Sequence, residues 1–496
     1  MKRNRIVLLS MLVCALLVGG CTMAPKYERP ASPVSAQWPS GAAYDPTKVS
    51  KPGTPEGEDL LQLRWREFFT DPKLRQLIGI ALENNRQLKS ARLSVEYYRE
   101  LYNIQTSDLF PRITGGLGMS AQRMPADLSA TGRRATMERY DANLGAASWE
   151  VDFFGRIRSL KEAALQEYFA TEQASRSAQI SIISAVAHSY LNIASAQECV
   201  ALDKELVASY RDTYERVKRN YDLGLVSEID VSRSASQVAV AERSAAVYLQ
   251  LLAQSRNALE FLLGAPVPEE LLPESLTGLA PAREVSAGIS SEILLKRPDV
   301  LAAENQLLAA NANIGAARAA YFPRISLTAA IGSASSELSG LFKSGSGYWS
   351  YAPQLALPIF DMRTWASHRA SKVKKEMMIS EYEKAIQSAF RDVADVLATL
   401  GTIDKQVTAQ EEYVAAVKRT YELANYRYES EIDNYLSLLD AQRSLHSSEQ
   451  SLVMLVREKF ASQIDLYTVL GGGWEESPDE LEESFQLTET TPSELN

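Results

Sequence analysis

The sequence predicts a mainly helical chain that adds four membrane-type β-strands to a closed assembly of several copies. Three observations predict it. The stretch 156–222 is rich in Ala, Leu, Glu, Gln and Arg and is uninterrupted by Pro or Gly, the conditions for one very long helix. Four segments of about ten residues each leave helical spacing for alternation of apolar and polar residues, more weakly in one of them. Phe110-Pro111-Arg112-Ile113 recurs as Phe322-Pro323-Arg324-Ile325, a spacing of 212 residues, so the chain reads as two related halves.

The chain opens on a positive cluster, Lys2, Arg3 and Arg5, followed by the short apolar run Ile6 to Val18. That is the pattern of a secretory signal, too short to span a bilayer comfortably. It ends in Val18-Gly19-Gly20-Cys21. Small residues give a peptidase close access, and the following Cys21 then carries the covalent lipid of a bacterial lipoprotein. Thr22, rather than an acidic residue, favours the outer membrane. Several acyl chains together anchor stably. Of the three cysteines, Cys14 leaves with the signal and Cys21 is modified. Cys199 remains alone in an apolar helical context, as a small packed side chain.

Residues 21–60 form an extended strap, punctuated by Pro25, Pro30, Pro33, Pro39, Pro52 and Pro55. Helices are expected at about 71–109, 156–222, 228–263, 291–320, 364–428 and 433–470. Ile180, Ile183, Ala187, Tyr190, Leu191 and Ala194 mark an apolar stripe on the longest. At 1.5 Å per residue it would reach about 100 Å, which suits a coiled-coil or tubular assembly rather than a compact core.

Strands are expected at about 112–124, 140–151, 324–335 and 348–359. Ile113, Leu117, Met119 and Ala121 alternate with polar residues in the first, Ile325, Leu327, Ala329 and Ile331 in the third, and Trp349, Tyr351 and Leu355 in the fourth. Tyr140, Ala142, Leu144 and Ala146 give the second a weaker version. The length is that of a tilted membrane strand, and the two-faced pattern suits a wall between lipid and a wet lumen. Taken alone, four such strands suit a soluble sandwich equally well; lipidation and the long helices shift the balance. Four strands cannot close a barrel, and an open sheet in lipid leaves edge N–H and C=O groups unpaired. The missing strands must come from other copies under cyclic symmetry.

The organisation expected is a signal at 1–20, the lipidated strap at 21–60, a first repeat at 61–263, a connecting equatorial segment at 264–290, a second repeat at 291–470 and a tail at 471–496. Residues 475–496 hold eight acidic residues and no basic one, and are expected to be disordered. The tail supplies most of the net charge of −10. An acidic balance argues against a nucleic-acid partner, and three His and three Cys make neither a metal cluster nor a disulfide framework. No phosphate loop or nucleophile elbow stands out. His188, His368 and His446 are isolated on helices and read as packing or surface residues. No enzyme activity, metal or cofactor is expected beyond the lipid on Cys21.

At this point several stretches resemble one family, and they lie in order along almost the whole mature chain. They include Cys21 to Pro30, Trp65-Arg66-Glu67-Phe68-Phe69, Ala81 to Arg86, Arg297-Pro298-Asp299-Val300, Ala309 to Pro323 and Asn434 to Arg443. The chain resembles the TolC-type outer-membrane efflux ducts of the lipidated branch. The resemblance implies a homotrimer with a twelve-stranded β-barrel in the outer membrane above a periplasmic α-helical barrel. It implies a periplasmic adaptor and an inner-membrane resistance-nodulation-division transporter as partners, and drug or toxic-compound export as the role. A duct for secreted proteins is the nearest rival, and an adhesion coiled coil without a pore a more distant one.

The resemblance also assigns residues. Asp440 matches the family's periplasmic constriction, where three carboxylates would attract cations and respond to pH through mutual repulsion; without that match it reads more readily as a solvated helix-face residue. Tyr428 matches a second constriction position, and Asp230 the acidic partner of a closed-state latch. The turn Gly224-Leu225-Val226-Ser227 and its counterpart at Glu431 are expected at the inner tips, where an adaptor would make contact. Four departures bear on this. Glu431 and Arg363 stand where the family commonly has Gly, Ser437 where some relatives have a second acid, and Asp433 where some have a basic latch residue.

Overall fold

The computed structural model describes residues 22–474 apart from 52–53, 57, 130–131, 289 and 431. The signal, Cys21, Glu431 and the acidic residues from 475 onward therefore lie outside the described residues. In chain order the main elements are α1 (Pro72–Asn84), α2 (Arg86–Ser107), β1 (Ile113–Met124), β2 (Ala135–Val151), α3 (Arg156–Asp222), α4 (Glu228–Leu263), α5 (Pro298–Ala319), β3 (Arg324–Ser335), β4 (Gly347–Ala356), α6 (Met362–Glu429) and α7 (Tyr435–Val469). Three differences from the sequence expectation have local causes. The expected helix 71–109 is two helices, because Asn85 adopts an extended backbone and caps. Its Oδ1 accepts from Leu88 N at 2.9 Å while its Nδ2 donates to Leu262 O at 2.7 Å. The fifth helix starts at Pro298, because a proline suits a first helical position and residues 291–296 form a 3₁₀ turn instead. The second strand starts at Ala135 rather than near 140, since pairing with β1 extends to Met124↔Ala135.

The chain divides into two compact units, each drawing on both sequence halves. The first contains the described residues of Met1–Ala31, Leu93–Glu172 and Ala302–Glu383. Its centre is an antiparallel sheet in the order β1-β2-β3-β4. Direct pairs such as Leu117↔Ala142, Leu144↔Ile331 and Ile331↔Trp349 place one apolar set on a single face. Asp141, Asn143, Ser326, Thr328 and Ser350 occupy the other. The apolar face is bare in the single chain, with Leu117 83% and Trp349 77% exposed. A β-bulge between Ala146 and Trp149 keeps this alternation in phase. It puts Ser148 at φ 54°, and Ser148 N donates to Thr328 Oγ1 at 3.0 Å. Such bulges bend a strand and increase its twist.

The second unit contains Ser32–Arg92, Gln173–Leu301 and the described residues of Lys384–Asn496. The hairpins α3–α4 and α6–α7, from Gln173 and Lys384 onward, carry the repeat here, and short strap and connecting segments cover them. Trp38 stacks on Phe390 with ring centroids 5.3 Å apart and donates Nε1–H to Gly288 O at 2.9 Å. Phe68 stacks on Tyr467 at 3.9 Å. Lys48 and Lys459 both reach Asp404, at 3.0 and 2.9 Å, tying the strap to α6 and α7.

Asn85→Ala removes a cap and a buried donor together, and should cost about 1–2 kcal/mol. A chemical-denaturation midpoint lower than the parent's, with Asn85→Asp falling between the two, is the expected result. The Asp404 clip gives a pH prediction. The Lys459 hydrogen bond, with that of Lys48, holds the Asp404 carboxyl below the ordinary range against the opposing effect of burial. A depressed carboxylate stabilises fully above the ordinary range and loses that contribution as pH falls through the folded value. Amide-exchange protection in residues 44–51, relative to the intrinsic rate at each pH, should hold down to about pH 4 and fall below it, whereas Lys459→Met should bring the onset to higher pH.

Candidate functional site

Within the second unit, both hairpin turns are built by capping. At the α3–α4 turn Gly224 takes φ 74°, open to glycine without strain. Ser227 then starts α4 as the first partner of a capping box with Asp230. Asp230 Oδ2 accepts from Ser227 Oγ at 2.7 Å and from Ser227 N at 3.2 Å. Leu223, Leu225 and Ile229 remain exposed around this turn, with Gly224 and Ser227 also open and Val226 partly covered. At the α6–α7 turn Asn434 Oδ1 accepts from Ser437 N at 3.2 Å. Arg427 Nε meets Asp433 Oδ2 at 2.6 Å. The Arg427 guanidinium thus holds the Asp433 carboxyl below its ordinary range. Asp433 is engaged inside its own turn.

Four helices meet just behind the turns. Tyr210 of α3, Ala241 of α4 and Tyr435, Leu438 and Leu439 of α7 form a buried cluster, against which Tyr428 of α6 packs. The Tyr428 and Tyr435 rings lie 5.9 Å apart. Burial raises the Tyr428 hydroxyl above its ordinary value, with Arg216 opposing and the Asp230 carboxylate adding to the rise. Burial likewise pushes Tyr435 up to about 12. The structure therefore brings Tyr428 and Asp230 into one electrostatic neighbourhood, while Asp230 spends its hydrogen bonds on its own helix start. Asp440 lies on the opposite side of α7. That helix buries Tyr435, Leu438, Leu439, Ala441 and Gln442 and leaves Leu436, Ser437 and Asp440 exposed, so the carboxylate projects from a face that this chain does not cover. Ser437 also sits there with its hydroxyl near Asn434 Oδ1. Arg363 sits in the first turn of α6, its N–H donating to Asp361 Oδ1 at 2.9 Å.

In the first unit, the start of the strap is fixed where helices hand over to strands. Thr22 Oγ1 lies 3.4 Å from Ser159 Oγ in the first turns of α3. Met23 O accepts from Arg318 at the end of α5, and Pro25 O from Asn311 Nδ2 at 2.8 Å. Gly315 lets the strap pass, since a Cβ there would sit 2.7 Å from Ala24 N. Arg29 then makes a two-pronged ion pair with Glu304, at 2.7 Å on each oxygen, and Tyr27 donates to the same carboxylate at 3.1 Å. Nothing in the sequence pairs Arg29 with Glu304, since 275 residues separate them and neither belongs to a periodic pattern. The histidines have structural neighbours: His188 pairs with Asp465 and His446 with Asp203, each at 2.7 Å, and His368 lies 3.3 Å from the Tyr321 hydroxyl. Among the described residues no group of three or more His, Cys, Asp or Glu could hold a metal ion, and no helix is long and apolar enough to cross a membrane.

A sheet that is apolar on one side, polar on the other and open at both edges, joined to long amphipathic hairpins, defines the subunit of a membrane channel. The chain belongs to the outer membrane efflux protein family, whose model matches residues 77–265 and 289–472. It is 44% identical over 462 residues to the toluene efflux pump outer membrane protein TtgF of Pseudomonas putida, covering 93% of this chain and 96% of that one. Its fold superimposes on a membrane protein from Pseudomonas aeruginosa with a TM-score of 0.84, 37% identity and coverage of 93% and 100%. The open-state MtrE outer membrane channel of Neisseria gonorrhoeae matches with a TM-score of 0.80, 37% identity and coverage of 91% and 98%. The protein is thus an outer-membrane exit duct of an efflux pump, extending into the periplasm, with the α-barrel plus β-barrel fold of the trimeric channels. The family is a channel family rather than an enzyme family.

The exposed position of Asp440 predicts a cation effect. Asp440→Ala should weaken divalent-cation block of single-channel current in planar bilayers by severalfold; unchanged block would remove the carboxylate from the gate.

Proposed function

We propose that three copies of this chain, each anchored by a lipid on Cys21, form the outer-membrane duct of a tripartite pump. The pump proper is an inner-membrane resistance-nodulation-division transporter, reached through a periplasmic adaptor. The single observation that carries the reading is the four-stranded sheet, apolar on one face and unpaired along both outer strands. Pairing β4 of one copy with β1 of the next closes a twelve-stranded barrel and leaves no open edge.

Two further features support the arrangement. Thr22 and Met23 are held beside the start of α3 and the end of α5, within a few residues of strands β2 and β3. An acyl chain on the preceding Cys21, which lies outside the described residues, would start close to the membrane boundary that these strands define. Around the turns, Leu223, Leu225 and Ile229 near Gly224, together with Tyr426, Ile432 and Leu436 near Glu431, expose apolar surface. Such surface suits an adaptor that binds the open form better than the closed one and so shifts the gate.

The duct contributes no chemistry to its cargo, and the pump supplies the energy. Small apolar or amphiphilic toxic compounds are the cargo class, consistent with the solvent named for the TtgF pump.

The test is complementation. In a strain lacking its native duct, this chain should restore tolerance to toluene-like solvents and amphiphilic antibiotics by at least fourfold in inhibitory concentration. It should co-purify with the adaptor and cross-link as a trimer. Cys21→Ser should abolish incorporation of labelled palmitate. A stable monomer in detergent that conducts no ions would overturn the reading.

A further inference from the structure

The polar face of the sheet is uneven, and the unevenness has a pattern. Over most of its length it carries small neutral residues such as Thr114, Gly145, Ser326, Thr328 and Ser350. Charged residues on this face fall at two levels. One lies where the strands meet the helices, where Glu150 is held by Arg156 at 2.8 Å and approached by Arg324 at 3.7 Å. The other lies near the β1–β2 turn and is the inverse of a smooth wall. Arg139, Asp141 and Asn143 of β2 and Tyr348 of β4 share the polar face there.

These four side chains are organised. Asn143 Nδ2 donates to Asp141 Oδ2 at 2.9 Å, and Arg139 Nε stands 3.6 Å from Asp141 Oδ1. The Arg139 guanidinium also lies over the Tyr348 ring, 5.3 Å from its centre, a cation–π seat that limits where the charge can swing. Room is made by glycines on the neighbouring strand. A Cβ on Gly116 would come within 3.3 Å of Asn143 Oδ1, and one on Gly118 within 3.3 Å of Asp141 Oδ1. The Asp141 side chain is 21% exposed and that of Arg139 55%, so the carboxylate is wedged against the wall and the guanidinium reaches out from it.

We propose that Arg139, Asp141 and Tyr348 form an outer selectivity ring of the duct, separate from the periplasmic Asp440 constriction, in which the balance between the Asp141 and Arg139 charges sets the ionic preference of the barrel. The proposal rests on the trimeric barrel described above, which repeats the cluster three times at one height. A ring of fixed charges lining a water-filled lumen biases which ions enter, and acts over about 10 Å at 0.1 M salt. Each copy is close to neutral with both charges present. Removing either one leaves three like charges facing the same lumen.

The test is the reversal potential of purified trimer in planar bilayers under a KCl gradient, in an Asp440→Ala background so that the periplasmic carboxylates do not set the reading. Arg139→Gln should raise the potassium-to-chloride permeability ratio at least twofold, and Asp141→Asn should lower it at least twofold. Asp141→Cys covers the case of poor assembly, because each reading is then taken on a channel already folded and conducting. A sulfonate-bearing methanethiosulfonate reagent should return that variant toward the parent ratio, and a trimethylammonium reagent should drive it further toward chloride. Cys199 is buried, and the parent protein treated alike is the control. Shifts in the same direction, or ratios within experimental error of the parent for every variant and reagent, would overturn the ring while leaving the duct intact. A parent protein that conducts no ions would overturn the duct and the ring together.

Discussion

Everything else in this molecule depends on the backbone groups along the two outer strands. Strands β1 and β4 each have a partner on one side only. In water those N–H and C=O groups would be satisfied by solvent. The apolar face, with Leu117, Trp349 and Leu355 laid bare, directs the sheet into hydrocarbon instead, where each unsatisfied group costs several kcal/mol. A single chain has no way to meet that cost, and a helix cannot be borrowed to cover the edge without removing the lumen. Closure with further copies meets it by forming more of the same ladder. Pro353 stands in β4 opposite Leu327. Proline is tolerated in sheets where its missing donor faces an edge, so the seam between copies tolerates one absent bond.

The sheet was legible because membrane strands write their environment into a period of two. Ile325, Leu327, Ala329 and Ile331 had to share a face, and the register puts Leu355, Pro353, Tyr351 and Trp349 directly beside them. What the pattern could not supply was the phase slip at Ser148, since a bulge adds a residue without any change in composition. The split at Asn85 was similarly hidden: both flanking helices are good helix formers, and the break is enforced by the Leu262 carbonyl 177 residues away. The docking of the strap on Glu304 depends on a partner just as remote. Contacts between distant segments leave no periodic trace in either one.

The site was legible to a different degree at each position. The exposed side of α7 that carries Asp440 follows from the spacing of Tyr435, Leu438, Leu439 and Gln442, which places the aspartate away from their common buried face. The role of Asp230 was not legible in that way. Ser227 and Asp230 are a capping pair three residues apart, a local motif that explains an acidic residue there without reference to any second helix. Asp433 likewise satisfies its charge with Arg427 across its own turn. Each turn spends its carboxylate's hydrogen bonds locally, and this bears on how the hairpins can be held together.

With both carboxylates hydrogen-bonded locally, packing joins the four helices behind the tips, beside the Arg211–Glu242 ion pair between α3 and α4 and the 2.8 Å hydrogen bond that Gln442 Nε2 donates to Ser209 Oγ between α7 and α3. Tyr210, Ala241, Tyr435, Leu438 and Leu439 are buried together, with Tyr428 and Tyr421 against them. Aromatic pairs of this kind contribute about 0.5–1.5 kcal/mol beyond their area, and the contribution depends on ring position rather than on ionisation. Movement of α6 and α7 relative to α3 and α4 would therefore have to separate Tyr428 from the cluster, exposing apolar surface as it does so. A partner that covers this newly exposed surface gains that binding energy only in the moved state. That difference in affinity is what a ligand needs in order to shift a two-state equilibrium. A tip held by ion pairs would answer to salt and pH first; a tip held by rings answers first to whatever can replace the rings.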